Sequence, residues 1–405
     1  MKHSRLKAPL ELFRNDIVRC VKCGSCRSVC PSFLQTREES LSARGRMALI
    51  KAVLENRLAV SDIYRDRLAT CTGCQACEAA CPSNVPVTAI IQAAREQAVY
   101  ESGLGIINTV ISSVVSRPAL CRAAAWLAPV VLHAARGGAV RGKTEKSGGR
   151  RSNTGRTTTR EHKGRVAFFP GCATGNFQKD VHRASLAVLA RLGFDVVIPG
   201  GLHCCGKPLL SLGNRDAAEE SAVRNTNILA SLKVDAVVTT CATCSLTFKK
   251  DYPKLLPRDT KPPVMQDIHE FLARALTGRA LARVDKRITW HDPCHLGRGQ
   301  GLSKTARDIL RSIPGLTLVE MKNPDACCGF GGVMRLTHPD LSLGIAEEKT
   351  KHIIATGADA VVTGCPGCTL QIQDGLSRAG SGIAVLHTVQ VLEKALANTE
   401  SGSKR

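Results

Sequence analysis

The chain has 405 residues, a formal net charge of +22 and an aromatic content of 3%. Its length predicts about two to three domains with ample hydrophobic core. So few aromatic side chains argue against a protein that stacks single-stranded nucleic acid, and no nucleic-acid-binding motif is present. We therefore expect no nucleic-acid partner. The positive charge favours an acidic partner protein or the anionic inner face of the membrane, with a solvated basic surface that binds no partner as the alternative.

Nineteen cysteines are typical of a disulfide-rich secreted protein or of an intracellular protein that binds metals through reduced thiols. Residues 1–16 carry charges throughout and lack the apolar segment of a signal peptide. No window reaches the ~18 uncharged apolar residues of a transmembrane helix, because Arg117, Arg122 and two prolines interrupt the best candidate, 103–132. We expect a cytoplasmic protein with no transmembrane segment, held at most peripherally on the inner face of the membrane.

A cysteine run occurs twice near the N-terminus with identical internal spacing. The copies are Cys20-x2-Cys23-x2-Cys26-x3-Cys30-Pro31 and Cys71-x2-Cys74-x2-Cys77-x3-Cys81-Pro82. Zinc sites usually use two separated cysteine pairs, whereas this run is typical of 4Fe–4S ligation in which the fourth cysteine binds the other cluster. We therefore predict two clusters, one bound by Cys20, Cys23, Cys26 and Cys81 and the other by Cys71, Cys74, Cys77 and Cys30.

The segments between and after these runs are predicted to be helical. Residues 38–68 have apolar side chains at helical spacing and form a helical insert between the two runs. Residues 106–135 predict two helices broken near Pro118, packed against the cluster domain or lying on a surface, with Cys121 as a small buried side chain. Residues 137–164 carry eight Lys/Arg against two Asp/Glu and are rich in Gly, Ser and Thr, which predicts a flexible basic linker.

Beyond the linker the sequence repeats itself, with 122 to 124 residues between equivalent cysteines. The flanking segments repeat as well, since 234–239 matches 358–363 and 264–272 matches 385–392. A fixed period indicates a duplicated structural unit. The two sets of five cysteines are Cys172, Cys204, Cys205, Cys241 and Cys244, and Cys294, Cys327, Cys328, Cys365 and Cys368.

Each unit alternates short β-branched runs with helical patterns, which predicts an α/β fold with largely parallel strands. Every cysteine group falls where a loop leaves the carboxyl end of a strand, so the five thiols of each unit should converge on one site. Five soft ligands predict a metal or cluster site in each unit, with zinc or no bound metal as the alternative. Strands are predicted at 166–169, 234–240, 287–290 and 360–363, and helices at 179–192, 215–231, 302–312 and 341–356.

The second half resembles the cysteine-rich (CCG) domain family of heterodisulfide reductases and of iron–sulfur subunits of flavin-linked dehydrogenases. The intervals between its cysteine groups are similar to those of the family, at 31 and 35 residues and then 32 and 36. The whole chain, including Ala43-Arg44-Gly45-Arg46-Met47, is similar to the iron–sulfur subunits of glycolate dehydrogenase (glycolate oxidase). Those subunits often lack part of the C-x2-C pairs. Here both sets keep five cysteines, as in heterodisulfide reductase, which implies one or two further non-cubane clusters.

Several polar side chains flank the cysteines of the second half. His203, His291 and His295 are candidates for proton relay or for hydrogen bonds to sulfur, with packing or loop capping as the favoured roles. Lys207 and Arg298 bring positive charge near the same sites. No G-x-G-x-x-G follows a strand at the start of an α/β unit, so we expect no flavin or nicotinamide site on this chain.

Redox centres without a site for hydride removal predict an electron-transfer subunit, because the cofactor that removes hydride must then lie elsewhere. The resemblance implies a partner FAD subunit that oxidises glycolate or lactate, with electrons passing on towards a quinone or another carrier. The alternatives are a catalytic subunit that reduces heterodisulfides or other thiol compounds, and a cluster-bearing scaffold without turnover. The predicted domains are a helical 4Fe–4S domain (1–100), a helical connector (101–136), the linker (137–164), two cysteine-rich repeats (165–280 and 281–398) and a tail (399–405).

Overall fold

The computed structural model describes residues 9–135 and 163–401. The first of these ranges contains helices and turns and no strand. Short 3-10 turns at Pro9–Phe13, Ser25–Arg27 and Glu39–Leu41 link the early helices. The α-helices are α1 (Arg14–Val18), α2 (Pro31–Thr36), α3 (Ala43–Leu54), α4 (Asp62–Ala69), α5 (Ala76–Ala79), α6 (Val87–Ser102), α7 (Ile106–Ser116) and α8 (Pro118–Ala135).

The insert predicted between the two cysteine runs is present as α3 and α4. Each begins with a serine whose hydroxyl accepts a hydrogen bond from a backbone N–H of the first turn, Ser42 at 2.8 Å and Ser61 at 3.3 Å. The apolar faces of α3, α4 and α6 then close a hydrophobic core, because their apolar residues recur at helical spacing. This core includes Met47, Ile50, Leu54, Leu68 and Ile90.

The second range contains two units with the same succession of elements. The first unit has β1 (Gly164–Phe168), α9 (Gly171–Phe177), α10 (Lys179–Arg191), β2 (Phe194–Val197), α11 (Lys207–Ser211), α12 (Arg215–Ala230), β3 (Ala236–Thr239), α13 (Ala242–Leu246), a π-turn (Thr247–Asp251), α14 (Tyr252–Leu255), β4 (Met265–Asp267) and α15 (Ile268–Ala275). The second has β5 (Lys286–Trp290), α16 (Gly297–Gln300), α17 (Ser303–Arg311), β6 (Leu316–Val319), α18 (Met334–Thr337), α19 (Pro339–Ile354), β7 (Ala360–Thr363), α20 (Pro366–Arg378), β8 (Ala384–His387) and α21 (Thr388–Ser401).

Both units contain a four-stranded sheet in which every pair of neighbouring strands is parallel. The strand orders are β2-β1-β3-β4 and β6-β5-β7-β8, and Val166 lies opposite Val196 and Ala236 as Ile288 lies opposite Leu318 and Ala360. The predicted duplication and the parallel α/β fold are thereby confirmed. The sequence indicated the four central strands and missed the outer strands of both sheets. Outer strands such as β2 and β6 are partly exposed, so they lack the continuous apolar run of a central parallel strand.

The two units pack against each other reciprocally. The first long helix of each unit contacts the last helix of the other, since α10 packs on α21 and α17 packs on α15. A single buried core crosses this boundary and joins Val188 and Leu189 of the first unit to Leu392 and Ala395 of the second. Both units therefore present the same two helices to this boundary, the first long helix and the last one.

The two helices predicted at 106–135 are α7 and α8, with the break at Arg117. α7 packs on α11 and α12 of the first unit but leaves Ile106, Ile107 and Val110 exposed, and Trp126 of α8 is 78% exposed. Among the described residues no single helix is long and apolar enough to cross a membrane. The pair formed by α6 and α7 meets the length and composition criterion only together, with a bend of 114° between them.

Two predicted boundary segments fall at the limits of the described residues. The predicted linker, 137–164, lies outside them except for its last two residues, and Gly164 already begins β1. The predicted tail, 399–405, overlaps the end of α21, which continues to Ser401. Residues 402–405 lie outside the described ranges.

The N-terminal helices around the two cysteine runs, α1 to α6, are called the first domain below. Replacing Gly45 by Ala is expected to destabilise this domain, because the new Cβ would clash with the Glu39 backbone carbonyl beside the start of α3. Overpacking of this kind costs about 1–3 kcal/mol, so the thermal unfolding midpoint should fall. Gly382→Ala is the matched control, since nothing lies within 4 Å of a Cβ at that position. Equal unfolding midpoints for the two variants, measured by circular dichroism at equal iron content, would contradict the expectation.

Candidate metal centres

The two N-terminal cysteine runs bend in the same way. The residues two and four positions after the first cysteine of each run have positive φ angles. They are Lys22 (55°) and Gly24 (88°) in the first run, and Gly73 (66°) and Gln75 (62°) in the second. Left-handed residues at alternate positions curl the backbone around a point, which is how three thiols at every third residue face one cluster.

Each predicted ligand set lines its own small cavity in the first domain. Cys20, Cys23, Cys26 and Cys81 line one cavity, which Cys77 also borders. Cys30, Cys71, Cys74 and Cys77 line the other. The fourth cysteine of each run therefore lies with the first three of the other run. The structure brings together the crossed sets that the spacing predicts, while ligation itself stays a prediction.

Hydrogen-bond donors surround the sulfur atoms of these sets. The backbone N–H of Gly73 donates to Cys71 Sγ at 3.4 Å, and that of Val85 donates to Cys81 Sγ at 3.5 Å. Arg46 is 1% exposed, and its guanidinium lies 3.9 Å from Cys30 Sγ. Burial raises the pKa of the Cys30 thiol, and the charge of Arg46 opposes that rise. A buried cation here favours the anionic thiolate that a cluster requires.

The five cysteines of the first repeat form one contact network. Cys172 Sγ lies 3.4 Å from Cys204 Sγ, and Cys205 contacts both Cys204 and Cys244. Cys244 in turn contacts Cys241. A Cβ on Gly171, whose φ is +65°, would lie 2.9 Å from Cys244 Sγ, so a side chain there would crowd the thiols.

The second repeat places its five cysteines in the same relation. Cys328 Sγ lies 3.5 Å from Cys368 Sγ, Cys365 contacts Cys368, and Cys294 is close to Cys327 and Cys328. Hydrogen bonds with the neighbouring thiols of Cys327 and Cys368 hold the pKa of Cys328 well below its usual range. The pKa of the equivalent Cys205 in the first repeat is lowered in the same way. A lowered pKa favours the thiolate, which is the form in which the second cysteine of each Cys-Cys pair would bind a metal.

The two thiol networks touch each other and the first domain. Cys241 contacts Cys365 across the boundary between the repeats, and Cys74 of the first domain contacts Cys327. His295 and Arg298 fix this second contact by hydrogen bonds to the first domain, to the Gly73 carbonyl at 3.3 Å and the Cys74 carbonyl at 2.9 Å.

A cavity of about 1320 Å³ lies where the first domain meets both repeats. Its walls include nine of the ten repeat cysteines, all except Cys204, together with Cys71. Lys207 and His295 also line it. Lys207 forms an ion pair with Asp251 at 2.9 Å, so this wall carries both charges. The cavity is large enough for a small substrate to reach the thiols of either repeat.

The three candidate histidines have different environments. His203 contacts Arg224 at 2.8 Å, and His295 bridges Thr243 to the first domain. Packing or capping roles fit these two. His291 does not fit that role, because its ring nitrogens have no hydrogen-bond partner among the described residues. It instead forms, with Cys328 and Cys368, a group of ligand atoms that lie within 4.8 Å of one another. The sequence named hydrogen bonding to sulfur as one candidate role of His291 but favoured packing or loop capping.

Two further residues lie near the sites, and the sequence assigned a role to Cys121 alone, as a small buried side chain. Cys121 is buried, as expected, but its thiol accepts a hydrogen bond from Asn176 at 3.5 Å and lies near Cys172. Lys349 is 2% exposed and lies behind the Cys327–Cys328 pair. A buried lysine in a helix is not distinguishable from a surface lysine by spacing alone.

The donor sets fit iron–sulfur centres. Thiolates are soft ligands that select iron–sulfur clusters, zinc or copper(I), and the described cysteines are all free rather than paired in disulfides. In the first domain the four thiols of each predicted set line one cavity, and four thiolates are what a cubane cluster requires. Each repeat offers five thiols, which exceeds the four that one cubane or one zinc ion uses. Bound clusters would supply one-electron redox chemistry at these positions.

Comparison with known proteins identifies these parts. Residues 16–85 match the family model of a 4Fe-4S dicluster domain, and residues 166–249 and 288–373 each match the model of a cysteine-rich domain. Over 93% of its length the chain is 32% identical to an uncharacterized iron–sulfur protein of Methanocaldococcus jannaschii, of which it covers 73%. The chain belongs to the family of iron–sulfur proteins that join a 4Fe-4S dicluster domain to two cysteine-rich domains.

Relatives with assigned names come from different oxidoreductases. The chain is 28% identical to the probable glycolate oxidase iron-sulfur subunit of Bacillus subtilis, with 95% of each chain aligned. It is 28% identical to one of the subunits of a dihydromethanophenazine:CoB–CoM heterodisulfide reductase from Methanosarcina barkeri, with 94% of each chain aligned. It is 40% identical over 57% of its length to one of the subunits of a fumarate reductase (CoM/CoB) from Methanothermobacter marburgensis, of which it spans only 46%.

The crossed ligand sets predict the effect of removing Cys30. Cys30→Ala should remove the cluster held by Cys71, Cys74 and Cys77 and leave the cluster of the first run in place. Iron content and EPR of the reduced full-length protein measure this loss. Cys121→Ala is the matched control, because Cys121 belongs to neither set and its loss should leave both signals intact. Selective loss of the first-run signal in Cys30→Ala would show that each run binds its own cluster.

Proposed function

We propose that the chain is the iron–sulfur electron-transfer subunit of a flavin-linked 2-hydroxy-acid dehydrogenase that oxidises glycolate or lactate. The observation that carries the proposal is the unbroken succession of thiol sets through the protein. Cys77 borders both cavities of the first domain, Cys74 contacts Cys327 of the second repeat, and Cys365 contacts Cys241 of the first. Centres held at these sets would be neighbours, as transfer of single electrons between them requires.

The stoichiometry of the reaction suits several one-electron centres. Oxidation of glycolate to glyoxylate releases two electrons and two protons. A flavin accepts both electrons together, whereas an iron–sulfur cluster accepts one, so two centres can hold both electrons of one reduced flavin at the same time. The chain offers two thiol sets in the first domain and one in each repeat. The electrons would leave towards a quinone or another carrier.

The flavin itself is proposed to lie on a partner subunit. The chain has no glycine-rich dinucleotide fingerprint after a strand, and relatives of matching length are named as subunits of larger enzymes. Its formal charge of +22 favours an acidic partner surface. The exposed apolar side chains of α7, Ile106, Ile107 and Val110, offer a face for such a contact.

We further propose a cytoplasmic location, peripheral to the inner face of the membrane. Nineteen free thiols are kept reduced most readily in that compartment. The anionic cytoplasmic leaflet attracts a strongly basic protein. Contact with the membrane would bring the chain close to a quinone acceptor.

The thiol-lined cavity favours a second candidate function, reduction of a disulfide by a catalytic subunit. Cleavage of a heterodisulfide takes two electrons and two protons and releases two thiols. Nine repeat cysteines line one cavity of about 1320 Å³, so a disulfide bound there would reach centres in both repeats. The electrons would come from a reduced carrier through the first domain. The named heterodisulfide reductase relative supports this candidate.

Reduction by a hydroxy acid distinguishes the two candidates. The isolated chain should not oxidise glycolate or lactate with any dye acceptor. Mixed anaerobically with its FAD-containing partner, it should lose its visible cluster absorbance when glycolate or lactate is added. Raising the salt concentration should weaken binding to that partner, because the chain is strongly basic.

Two variants control this experiment. Cys77→Ala removes a thiol that borders both cavities of the first domain and should abolish the bleaching of the repeat centres. Cys121→Ala should bleach as the wild type does. Heterodisulfide reduction without a flavoprotein, or hydroxy-acid oxidation by the isolated chain, would replace the first candidate by a directly catalytic subunit.

A further inference from the structure

The two repeats differ at a buried position that faces their thiols. The backbone N–H of Phe169 donates to the Val238 carbonyl at 2.8 Å, and that of His291 donates to the Val362 carbonyl at 3.0 Å. These hydrogen bonds extend the same pair of strands in each sheet. His291 of the second repeat therefore occupies the position of Phe169 in the first.

The two side chains at this position have opposite chemistry. Phe169 is fully buried and packs edge-on against Phe248, with 5.1 Å between ring centroids. His291 is 1% exposed, and both of its ring nitrogens lack a hydrogen-bond partner among the described residues. A buried polar group without a hydrogen-bond partner is destabilising. One ring nitrogen of His291 lies within 4.8 Å of both Cys328 Sγ and Cys368 Sγ, so the ring is directed at the thiol site.

A second buried difference lies behind the Cys-Cys pairs. Gly206 packs on Ala218 of α12 and Gly329 packs on Ser342 of α19, which sets the register between the two helices. In that register Lys349 takes the place of Asn225. Asn225 donates to the Cys204 carbonyl at 3.2 Å. Lys349 donates to the carbonyls of the loop that precedes Cys327 instead, at 2.6 Å and 3.3 Å.

Lys349 carries a positive charge that no hydrogen-bonded carboxylate among the described residues offsets. Its ammonium group meets two backbone carbonyls and, at 3.8 Å, Met321 Sδ, which are all neutral. Burial lowers its pKa to about 8, which leaves it protonated at neutral pH. Other cations near the sites are paired, Lys207 with Asp251 and Arg298 with Asp325. Lys349 is therefore a buried cation of the second repeat without an ion-pair partner among the described residues, at a position where the first repeat has the neutral Asn225.

We propose that the second repeat holds the more oxidising of the two repeat centres, through the charge of Lys349 and through contact of His291 with the centre itself. This inference rests on the proposed function, in that each repeat is taken to hold an iron–sulfur centre. Reduction adds negative charge to a cluster, so a buried cation stabilises the reduced form. A nitrogen donor in place of a thiolate, or a hydrogen bond to sulfur, has the same effect on the potential.

The difference in potential between the two repeat centres would also affect the direction of electron transfer. Cys327 of the second repeat contacts Cys74 of the first domain directly. The first repeat joins this succession of thiols through the contact of its Cys241 with Cys365 of the second repeat. An electron that enters from the first domain would therefore settle on the second repeat. Transfer from the second repeat to the first would raise the free energy of the electron. It would proceed only when an acceptor at the first repeat removes the electron.

Redox titration of the full-length protein, followed by EPR, tests the proposal. In the wild type the two repeat centres should titrate at different potentials. Lys349→Asn and His291→Phe, which install the residues of the first repeat, should each lower the potential of the more oxidising centre and leave the other centre unchanged. Asn225→Lys should raise the potential of the other centre. His291→Phe should also remove a nitrogen coupling from the EPR spectrum.

The control is Lys351→Asn, which makes the same substitution at an exposed position on the same helix and should shift neither potential. If Lys349→Asn loses iron, Lys349→Met, which keeps the length of the side chain without its charge, carries the same test. Repeat centres that titrate together, or an unchanged potential at full iron content in these variants, would overturn the inference alone. Wild-type protein with only about eight iron ions, enough for the two clusters of the first domain, would overturn the proposal of repeat centres as well.

Discussion

Parallel strands place all of their carboxyl ends at one edge of a sheet, and in this protein that constraint positions every cysteine of the second half. The loops after β1 and β3 carry Cys172 and Cys241, and those after β5 and β7 carry Cys294 and Cys365. The reciprocal packing of α10 on α21 and of α17 on α15 then holds the two edges together. A duplicated unit with one thiol site thereby becomes a pair of sites that touch. The first domain can approach both only because they already lie side by side.

Burial of so many thiols imposes a condition on the first domain. Most of the repeat cysteines are buried, and a buried thiolate is costly unless a cation, a metal or hydrogen-bond donors offset its charge. The first domain covers part of this thiol site, and hydrogen bonds within the domain hold the covering loop in place. Arg95 on α6 donates to the carbonyls of Leu68 and Cys71, which fixes the loop of the second cysteine run. In that loop Thr72 packs closely against Gly331 of the second repeat. A Cβ added to Gly331 would lie only 2.9 Å from Thr72 Cγ2.

Spacing in the sequence predicted the parts of the site that depend on local geometry. The crossed sets of the first domain follow from C-x2-C-x2-C-x3-C, and the convergence of five thiols in each repeat follows from their position after strands. The contacts between the domains could not be predicted in this way, because no spacing in the sequence marks them. The approach of Cys74 to Cys327 and the cavity between the domains depend on how the first domain and the two repeats pack together. The orientation of His291 was equally hidden, because the sequence shows a histidine three residues before a cysteine whether its ring faces thiols or solvent.

Duplication also explains how one chain can hold two chemically different centres in one frame. Identical strand order and register fix the thiols of both repeats, so the ligands cannot diverge without losing the site. The second layer of side chains is free of that restriction. Phe169 and Asn225 are neutral, and their counterparts His291 and Lys349 add a nitrogen donor and a charge behind the same arrangement of sulfur. A difference in potential between adjacent centres gives electron flow a direction, which two identical repeats would lack. Divergence at two buried positions is therefore enough to turn a symmetric pair of sites into an ordered path.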